Sequence, residues 1–580
     1  MPGQPSPRRT PRIAAFFVCA GVLAGCGAPA PVSGPGLCKA GAVAIAEVQG
    51  EGFRSPLEGR EAIVRGVVTA VLPGEGIFLE STAPDASRAT SEGLFVANRP
   101  LSGAVAPGSE VAVRGTVRER GERDDTQTVL DDVSGHGVCA AGLPLPLSEE
   151  RLPLDRDGRE ALENMRLRFQ QPFTVADVYR VAGGELSLAA GQALRQPTEV
   201  AAPGAEARAV QRDNALRTLP VRVPPPEAAG AAWGAPLPGI EGVLGHDGRR
   251  PRLVADRLGL APPAPLTPPP APDSGVLRVV NLNLRNYFNG DGRGAGFPTP
   301  RGAETPAQFA DQRARVRATL GALTPHVLAV QELENDGFGG NSAAASLLED
   351  LAAATGRTWV EARPAASRIG DDAIRVGLFY DPAAVTAVGP AQLFEAVAFN
   401  EKSRVPLVQR LRHADSGREL LVSVNHLKSK GSCPDGGADA DRGDGQGCWS
   451  ESRTRAAELL ARALLDEAAA SGTPAALIVG DLNAYRREAP LDALRGAGFV
   501  DLLGDGPGPH PFTYVFRGAA GALDHALATP ALAAWVGAAF AWNVNSVYAD
   551  GVPAPAPWAR ASDHDPVVLD LRPRQSDTMD

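Results

Sequence analysis

Polar and ionisable residues recur where apolar runs begin or end in the C-terminal half of this 580-residue sequence. Asn283 closes the run Val276–Asn283, Glu332 follows Val327–Val330, and His426 ends Leu420–His426. Asp481 and Asn483 follow Ala475–Val479, Asp524 lies in Leu523–Ala528, and Asp563 and His564 precede Val567–Leu571. A single acid at such a place means little, because strand ends and caps are often polar. A series of them is different, since ionisable groups at converging strand ends are costly unless paired or metal-bound. Asn, Glu and Asp are hard oxygen ligands suited to Mg²⁺ or Mn²⁺, while His can donate a proton or stabilise an oxyanion. Asp481-Leu482-Asn483 is the sharpest unit. Residues i and i+2 of an extended chain point to one side. The spacing therefore predicts a carboxylate and a carboxamide projecting together, with Leu482 turned into the core.

Those positions need a scaffold of strands alternating with helices. Val276–Asn283, Val327–Val330, Ile374–Tyr380, Leu420–His426, Ala475–Val479, Leu523–Ala528 and Val567–Leu571 read as strands. Phe309, Val316, Leu320 and Leu323 share one helical face ahead of Pro325, and Arg453–Ala470 reads as a second helix. This mixture over 276–572 suits an α/β sandwich of two sheets with outer helices. The Pro-rich segment 261–275 marks a linker before it. Residues 38–140 read as all-β, with short runs at Val43–Val48, Ala62–Val71, Gly76–Glu80, Gly93–Ala97 and Glu110–Val117 that suit a small barrel. Residues 141–260 read as a further β-rich region, and 573–580 as a polar tail.

The hydrophobic content of 44% allows cores of ordinary size, and 65 Gly with 52 Pro favours strands, turns and loops over long helices. The formal net charge of −10 runs against a general nucleic-acid footprint, although basic residues can cluster locally. The N-terminus carries Arg8, Arg9 and Arg12 before a short apolar run ending in Leu23-Ala24-Gly25-Cys26. That pattern predicts export, and the last four residues resemble a bacterial lipoprotein processing box, with cleavage before Cys26 and lipid on its thiol. Residues 1–26 would then be the signal, the lipid the chain's link to a membrane, and the mature chain a cell-envelope lipoprotein or a secreted protein. Cys38, Cys139, Cys433 and Cys448 remain, and an exported chain predicts disulfides. Of the three connectivities, Cys38–Cys139 and Cys433–Cys448 keep each bridge within one domain.

The stretches Asn281–Phe288, Val330-Gln331-Glu332, Val424–Gly431, Gly480–Ala484, Leu523-Asp524-His525 and Ser562–Val567 resemble the endonuclease/exonuclease/phosphatase superfamily, in order and rough spacing. The resemblance is nearest to secreted ExeM/NucH-type extracellular nucleases, on the Asn425–Gly431 stretch and Gly445-Gln446-Gly447. Ala46–Gly50, Ser55-Pro56-Leu57, Gly66–Thr69, Ala89–Val96 and Val113–Val117 are similar to the OB-like domain of those nucleases. Glu163–Leu167, Gln196-Pro197-Thr198 and Glu241–Leu244 are similar to their second β-rich region, although the acidic pair usual late in that region is missing after Asn214.

The resemblance implies a pancreatic-deoxyribonuclease-like α/β sandwich that hydrolyses phosphodiesters. It implies that Asn283, Glu332 and Asp563 hold a metal directly or through water. Asp481 would activate the attacking water, Asn483 would position it, and His426 and His564 would contact the scissile phosphate. Asp524 would orient one of the two histidines, and sequence leaves open which. Arg375, Arg404 and Arg410 are further candidates for phosphate contact, with Lys428 and Lys430 ahead of them because they flank His426. Mg²⁺ or Mn²⁺ is the expected cofactor. Ca²⁺ is a further candidate through the loop Cys433–Cys448, which carries Asp435, Asp439, Asp441 and Asp444. DNA is the expected partner, with RNA open and no protein partner inferred. A lipid or small phosphorylated substrate keeps the fold and changes the substrate; a non-catalytic surface nucleic-acid binder is the reading from another class.

Overall fold

The computed structural model describes residues 32–34, 36–122, 125–261, 265–400, 403–504 and 510–573. The signal segment 1–26 with Cys26, part of the Pro-rich linker and the tail from 574 lie outside the described residues. No helix among the described residues is long and apolar enough to cross a membrane.

Five strands close the first β region into a ring: Glu61–Leu72, Gly76–Glu80, Gly93–Val96, Asp125–Ala140 and Glu110–Glu122, the last pairing back to the first. Its core is a cluster of Val, Leu and Ile that includes Val64, Val68, Leu79, Leu94, Val113 and Leu130. The sequence departs from expectation twice here. Val43–Val48 was expected as a strand; residues Ile45–Gln49 are instead a short helix whose Ile45 and Val48, three apart, face the barrel core. Asp125–Ala140 was not expected at all. Its apolar stretch is interrupted by Asp131, Asp132, Gly135 and Gly137, and the pairing shifts register between Arg114 and Thr116, opposite that interruption.

The second region is an eight-stranded sheet over 148–254, with a helix Ala205–Arg217 beside it. It joins the barrel through residues that sequence matching had singled out. Gln127 Nε2 donates to Asn164 Oδ1 at 2.6 Å, the Thr128 amide donates to Glu163 Oε2 at 3.1 Å, and the Arg166 amide donates to Glu80 Oε2 at 2.9 Å.

The C-terminal half stacks two sheets. One runs Val360–Glu361, Ile374–Tyr380, Val327–Glu334, Leu277–Tyr287, Val567–Leu571, Val536–Ala541; the other centres on Leu407–His413, Glu419–His426, Ala476–Asp481 and Asp524–Ala528. Alternation along the inner strands explains the layers. Leu277, Val279, Val327 and Ala329 face the opposite sheet, where they meet Leu420, Val422, Val424, Leu477 and Val479. Val280, Leu282, Leu328 and Val330 face outward, under Val316, Leu320, Leu347 and Leu351 of the helices Pro306–Leu323 and Ala343–Thr355. Strands buried on both faces read as continuous apolar runs, which is why they were legible. Arg278 anchors the linker, donating to Pro270 O at 2.9 Å while its Nε and Nη2 hold Asp570 at 2.7 and 2.8 Å. Cys38–Cys139 and Cys433–Cys448 are both bonded.

Candidate active site at the strand ends

Strands from both sheets end at one place, and several of the endings depart from regular strand geometry. Glu332 (φ 60), Asn483 (φ 49), Arg285 (φ 54) and Asn286 (φ 55) are left-handed non-glycine residues. Such positions cost about 1–3 kcal/mol each and persist where the surroundings impose them. The pairing of Leu277–Tyr287 with Val327–Glu334 shifts register between Asn283 and Tyr287, and that of Val327–Glu334 with Ile374–Tyr380 between Val330 and Leu333. These irregularities re-aim Asn283 and Glu332 from the ladder into the cleft. Gly480 (φ +145) precedes Asp481, and a Cβ there would lie 2.0 Å from Asn425 O. Only glycine lets the two strands that bear His426 and Asp481 approach this closely.

The i, i+2 expectation for Asp481 and Asn483 is corrected by this geometry. The strand ends at Asp481, and the left-handed turn at Asn483 replaces simple alternation. The Asn483 amide donates to Asp481 Oδ1 at 2.9 Å, and its side-chain Nδ2 donates to Leu427 O at 3.2 Å. Leu482 is fully buried, as its spacing implied.

Asn283 Nδ2 donates to Asp481 Oδ2 at 3.2 Å and lies 3.4 Å from Glu332 Oε1. His426 Nε2 lies 3.4 Å from Asp481 Oδ2. His564 Nδ1 donates to Asp524 Oδ2 at 2.7 Å, which answers which histidine Asp524 orients. Asp524 is itself fixed by Thr513, whose Oγ1 accepts from the amides of Leu523 and Asp524 at 3.1 and 3.0 Å. The ring of Tyr514 lies 4.6 Å from that of His564. Asp563 lies 4.0 Å from Arg285 Nε, and Arg285 is held mainly by Asp550 at 2.6 Å.

Electrostatics separate the roles. Burial, then the charge of Asp563, raises the Glu332 carboxyl above the usual range. Burial pushes the Asp481 carboxyl up to about 7. Burial by itself would lower His564, but the charges of Asp524 and Asp481 and the hydrogen bond it donates to Asp524 outweigh it and raise the imidazole well above its ordinary value. Burial and the nearby Arg404 cation hold His426 well below its own, so this imidazole is neutral. One ring is thus a cation and the other a neutral donor or acceptor.

The basic candidates divide by position. The Arg404 amide donates to His426 O at 2.9 Å, and its guanidinium lies 3.1 Å from Asp372, close enough for its charge to act on Glu332 and Asp481. Arg375 is buried against Glu361 at 2.7 Å. Arg410 pairs in register with Leu421, five residues before His426 and so roughly 16 Å from it, and interacts with Glu419. Lys430 is held by Glu488 at 2.6 Å and by Gln446 O at 2.6 Å. Lys428 Nζ donates to the oxygens of Ser429 and to Gly431 O. In the Cys433–Cys448 loop, Asp439 accepts from Ser452, Asp441 from the Gly443 amide and Asp444 from Gln446, so these carboxylates serve as turn caps.

For a divalent cation, the carboxylates Glu332 and Asp563 are the available hard donors, and their mutual repulsion favours a cation between them. Asn283 is placed differently: its Oδ1 accepts from the Arg285 amide at 2.9 Å, so it turns N–H toward the carboxylates. It fits a role in holding Glu332 and Asp481, or one through water. No group of three His, Cys, Asp or Glu among the described residues forms a metal cage by itself.

Glu199 is a residue that sequence reasoning missed. It is fully buried at the foot of the second β region, and its Oε2 accepts from the amides of Arg486 (3.4 Å) and Ala522 (3.1 Å) while Oε1 accepts from Arg486 Nε at 3.2 Å. Thr198 Oγ1 donates to Glu488 at 2.6 Å. One carboxylate thus ties the loop after Asp481 to the segment before Asp524. The neighbouring Gln196-Pro197-Thr198 match was the available signal, but it marked a region rather than a contact.

Residues 280–564 match the model of the Endonuclease/Exonuclease/phosphatase family. Similar solved structures include the human Nocturnin catalytic domain with bound sulfate anion, at 16% identity over 52% of this chain and 95% of that chain, TM-score 0.34. D. rerio TDP2 complexed with single strand DNA product is 17% identical over 51% and 99%, TM-score 0.31. A mannosyl-6-phosphatase of Bacteroides thetaiotaomicron is 16% identical over 51% and 99%, TM-score 0.33. No curated protein matches the chain.

Proposed function

With an endonuclease/exonuclease/phosphatase family domain over residues 280–564, the chain is, we propose, an exported metal-dependent nuclease that hydrolyses phosphodiester bonds of DNA. The observation that carries this reading is the buried convergence of Asn283, Glu332, Asp481, His426 and the Asp524–His564 pair on strand ends of both sheets. A Mg²⁺ or Mn²⁺ ion held by Glu332 and Asp563 would neutralise charge on the phosphate and steady the leaving oxygen.

The protein's own groups supply the rest. Asp481, raised toward neutrality by burial, is poised to take the proton of the attacking water. The Asn483 amide and Asn283 Nδ2 each hold one of its two oxygens. His564, kept protonated by Asp524, offers an N–H⁺ to a phosphoryl oxygen as negative charge develops there. His426, neutral at its strand end, hydrogen-bonds without adding a second cation.

Export as a lipoprotein or secreted protein is supported by the two disulfides, which form in oxidising compartments. The OB-like reading of the first region is supported by its closed ring of five strands. The test is cleavage of plasmid DNA by the signal-free chain in Mg²⁺, Mn²⁺ or EDTA, beside Asp481→Ala. Nicking that needs metal, and that falls ~10²–10⁴-fold or more in the variant, is the expected result. DNA and RNA left intact in every metal would overturn the nuclease reading and turn attention to phosphomonoester or lipid phosphodiester substrates.

A further inference from the structure

A stretch of surface beside the cleft carries features that hydrolysis does not use. Tyr514, against His564, opens the hairpin Tyr514–Phe516 and Ala519–Gly521. The hairpin turns at Gly518 (φ +82), where a Cβ would lie 3.1 Å from the Asp177 amide nitrogen, and Trp233 Nε1 donates to Gly518 O at 2.9 Å. Asp177 in turn lines a cavity of about 550 Å³ on the second β region, together with Tyr179, four arginines (Arg180, Arg249, Arg250 and Arg252) and the carboxylates of Glu185 and Asp247. The path from His564 across the hairpin to this cavity is therefore continuous in contacts.

Its chemistry is specific. Among the described residues, Phe516 (48% exposed) and Tyr179 (83%) are the aromatic side chains that stand open to solvent, and one lies on each side of the Gly518–Asp177 contact. Aromatic faces in that condition stack on unpaired bases, whatever the base. The arginines are available too. Arg180, Arg250 and Arg249 approach Glu185, Asp247 and Glu122 at 3.4, 3.7 and 3.9 Å, with all three guanidinium side chains well exposed. Loose exposed pairs of this kind contribute little and yield to a phosphate, which guanidinium binds in bidentate fashion. The acidic chain as a whole thus has four arginines, three of them in loose exposed pairs, beside the hairpin that reaches its cleft.

We propose that this path is a binding track for single-stranded nucleic acid. Bases stack on Phe516 and Tyr179, and backbone phosphates meet Arg249 and Arg250. The proposal rests on the reading of the strand-end site as a nucleic-acid hydrolase. The test uses the full mature chain in EDTA, with a fluorescein-labelled oligothymidylate as probe, and follows binding by anisotropy across a salt series. Hydrolysis of bis(p-nitrophenyl) phosphate in metal, a substrate too small to reach the cavity, is the control. Tyr179→Ala combined with Phe516→Ala should weaken binding about tenfold or more. Arg249→Ala combined with Arg250→Ala should reduce the slope of log K against log salt by about 1.4. Both pairs should hydrolyse the small diester at the rate of the parent chain. Affinity and salt slope unchanged in both pairs would overturn the track. A chain that hydrolyses the small diester but does not bind the oligomer also loses the track and keeps the hydrolase. Binding that is lost in the variants, in a chain that cleaves no phosphodiester, keeps the track and overturns the reading of the site.

Discussion

His564 and His426 occupy one cleft and sit in opposite protonation states: burial lowers both imidazoles, and their neighbours decide between them. His564 donates to Asp524 at 2.7 Å; His426 has Asp481 at 3.4 Å but the Arg404 cation close by. If the His564 imidazolium is what faces the phosphate, activity falls as pH rises through its raised pKa. Removing the Asp524 charge lowers that pKa, so in Asp524→Asn the alkaline limb of the kcat–pH profile should move to lower pH. The rate at the optimum should drop by roughly 10²–10⁴-fold, as for loss of a positioned acid. A limb that stays in place would mean that another group sets it. Asp524 was legible as a partner for His426 or His564 through the resemblance of Leu523-Asp524-His525 to the nuclease superfamily. Its choice of His564 was not legible, since 40 residues separate the pair.

At the level of elements, the site depends on loops that other parts of the chain hold. The Asp481 loop and the Asp524 strand are tied by Glu199, which lies near neither in sequence. Glu199→Gln keeps the shape, and a glutamine oxygen can still accept from one amide, but the ion pair to Arg486 is lost. Misplacing reacting groups by about an ångström costs on the order of 10²-fold. The expected outcome is therefore a fall in kcat of roughly ten- to a hundredfold with KM little changed, measured on bis(p-nitrophenyl) phosphate. A rise in KM at constant kcat would instead place Glu199 in substrate binding. Helical periodicity found Pro306–Leu323 well, since Phe309, Val316, Leu320 and Leu323 are buried on one side. It missed Ala343–Thr355, whose alanines blur the contrast between the buried and exposed faces.

The three regions form a connected molecule, and the joint between the barrel and the second β region is acidic. Burial pushes the Glu80 and Glu160 carboxyls up to about 7 and raises Glu163 well above the usual carboxylate range. In the unfolded chain a glutamate titrates near ~4.3. Between those values the folded chain holds protons that the unfolded chain has released. The stability contributed is therefore fully present below the unfolded pKa and is lost as pH rises to about 7. Glu80→Gln removes one such group while leaving an oxygen for the Arg166 amide. Its melting temperature relative to the parent should grow by a few degrees between about pH 4.5 and 7 and then level off. A difference that shrinks over that window would contradict the burial of a protonated Glu80 at this joint.

Sequence alone determined seven strands of the C-terminal sandwich, the polar residues at their ends and the pairing of cysteines within domains, but it missed the strands Leu407–His413 and Val536–Ala541. The strands follow from local periodicity, since those buried on both faces announce themselves as apolar runs, and the cysteine pairs follow from the domain boundaries. Tertiary structure decided what those residues face. It bent Glu332 and Asn483 into left-handed conformations, gave Asp524 to His564, and turned Arg375 and Lys430 to Glu361 and Glu488. It also brought Glu199 under the cleft. Each of these depends on contacts between residues distant in the chain, and the energy of burying a charge depends on which partner arrives.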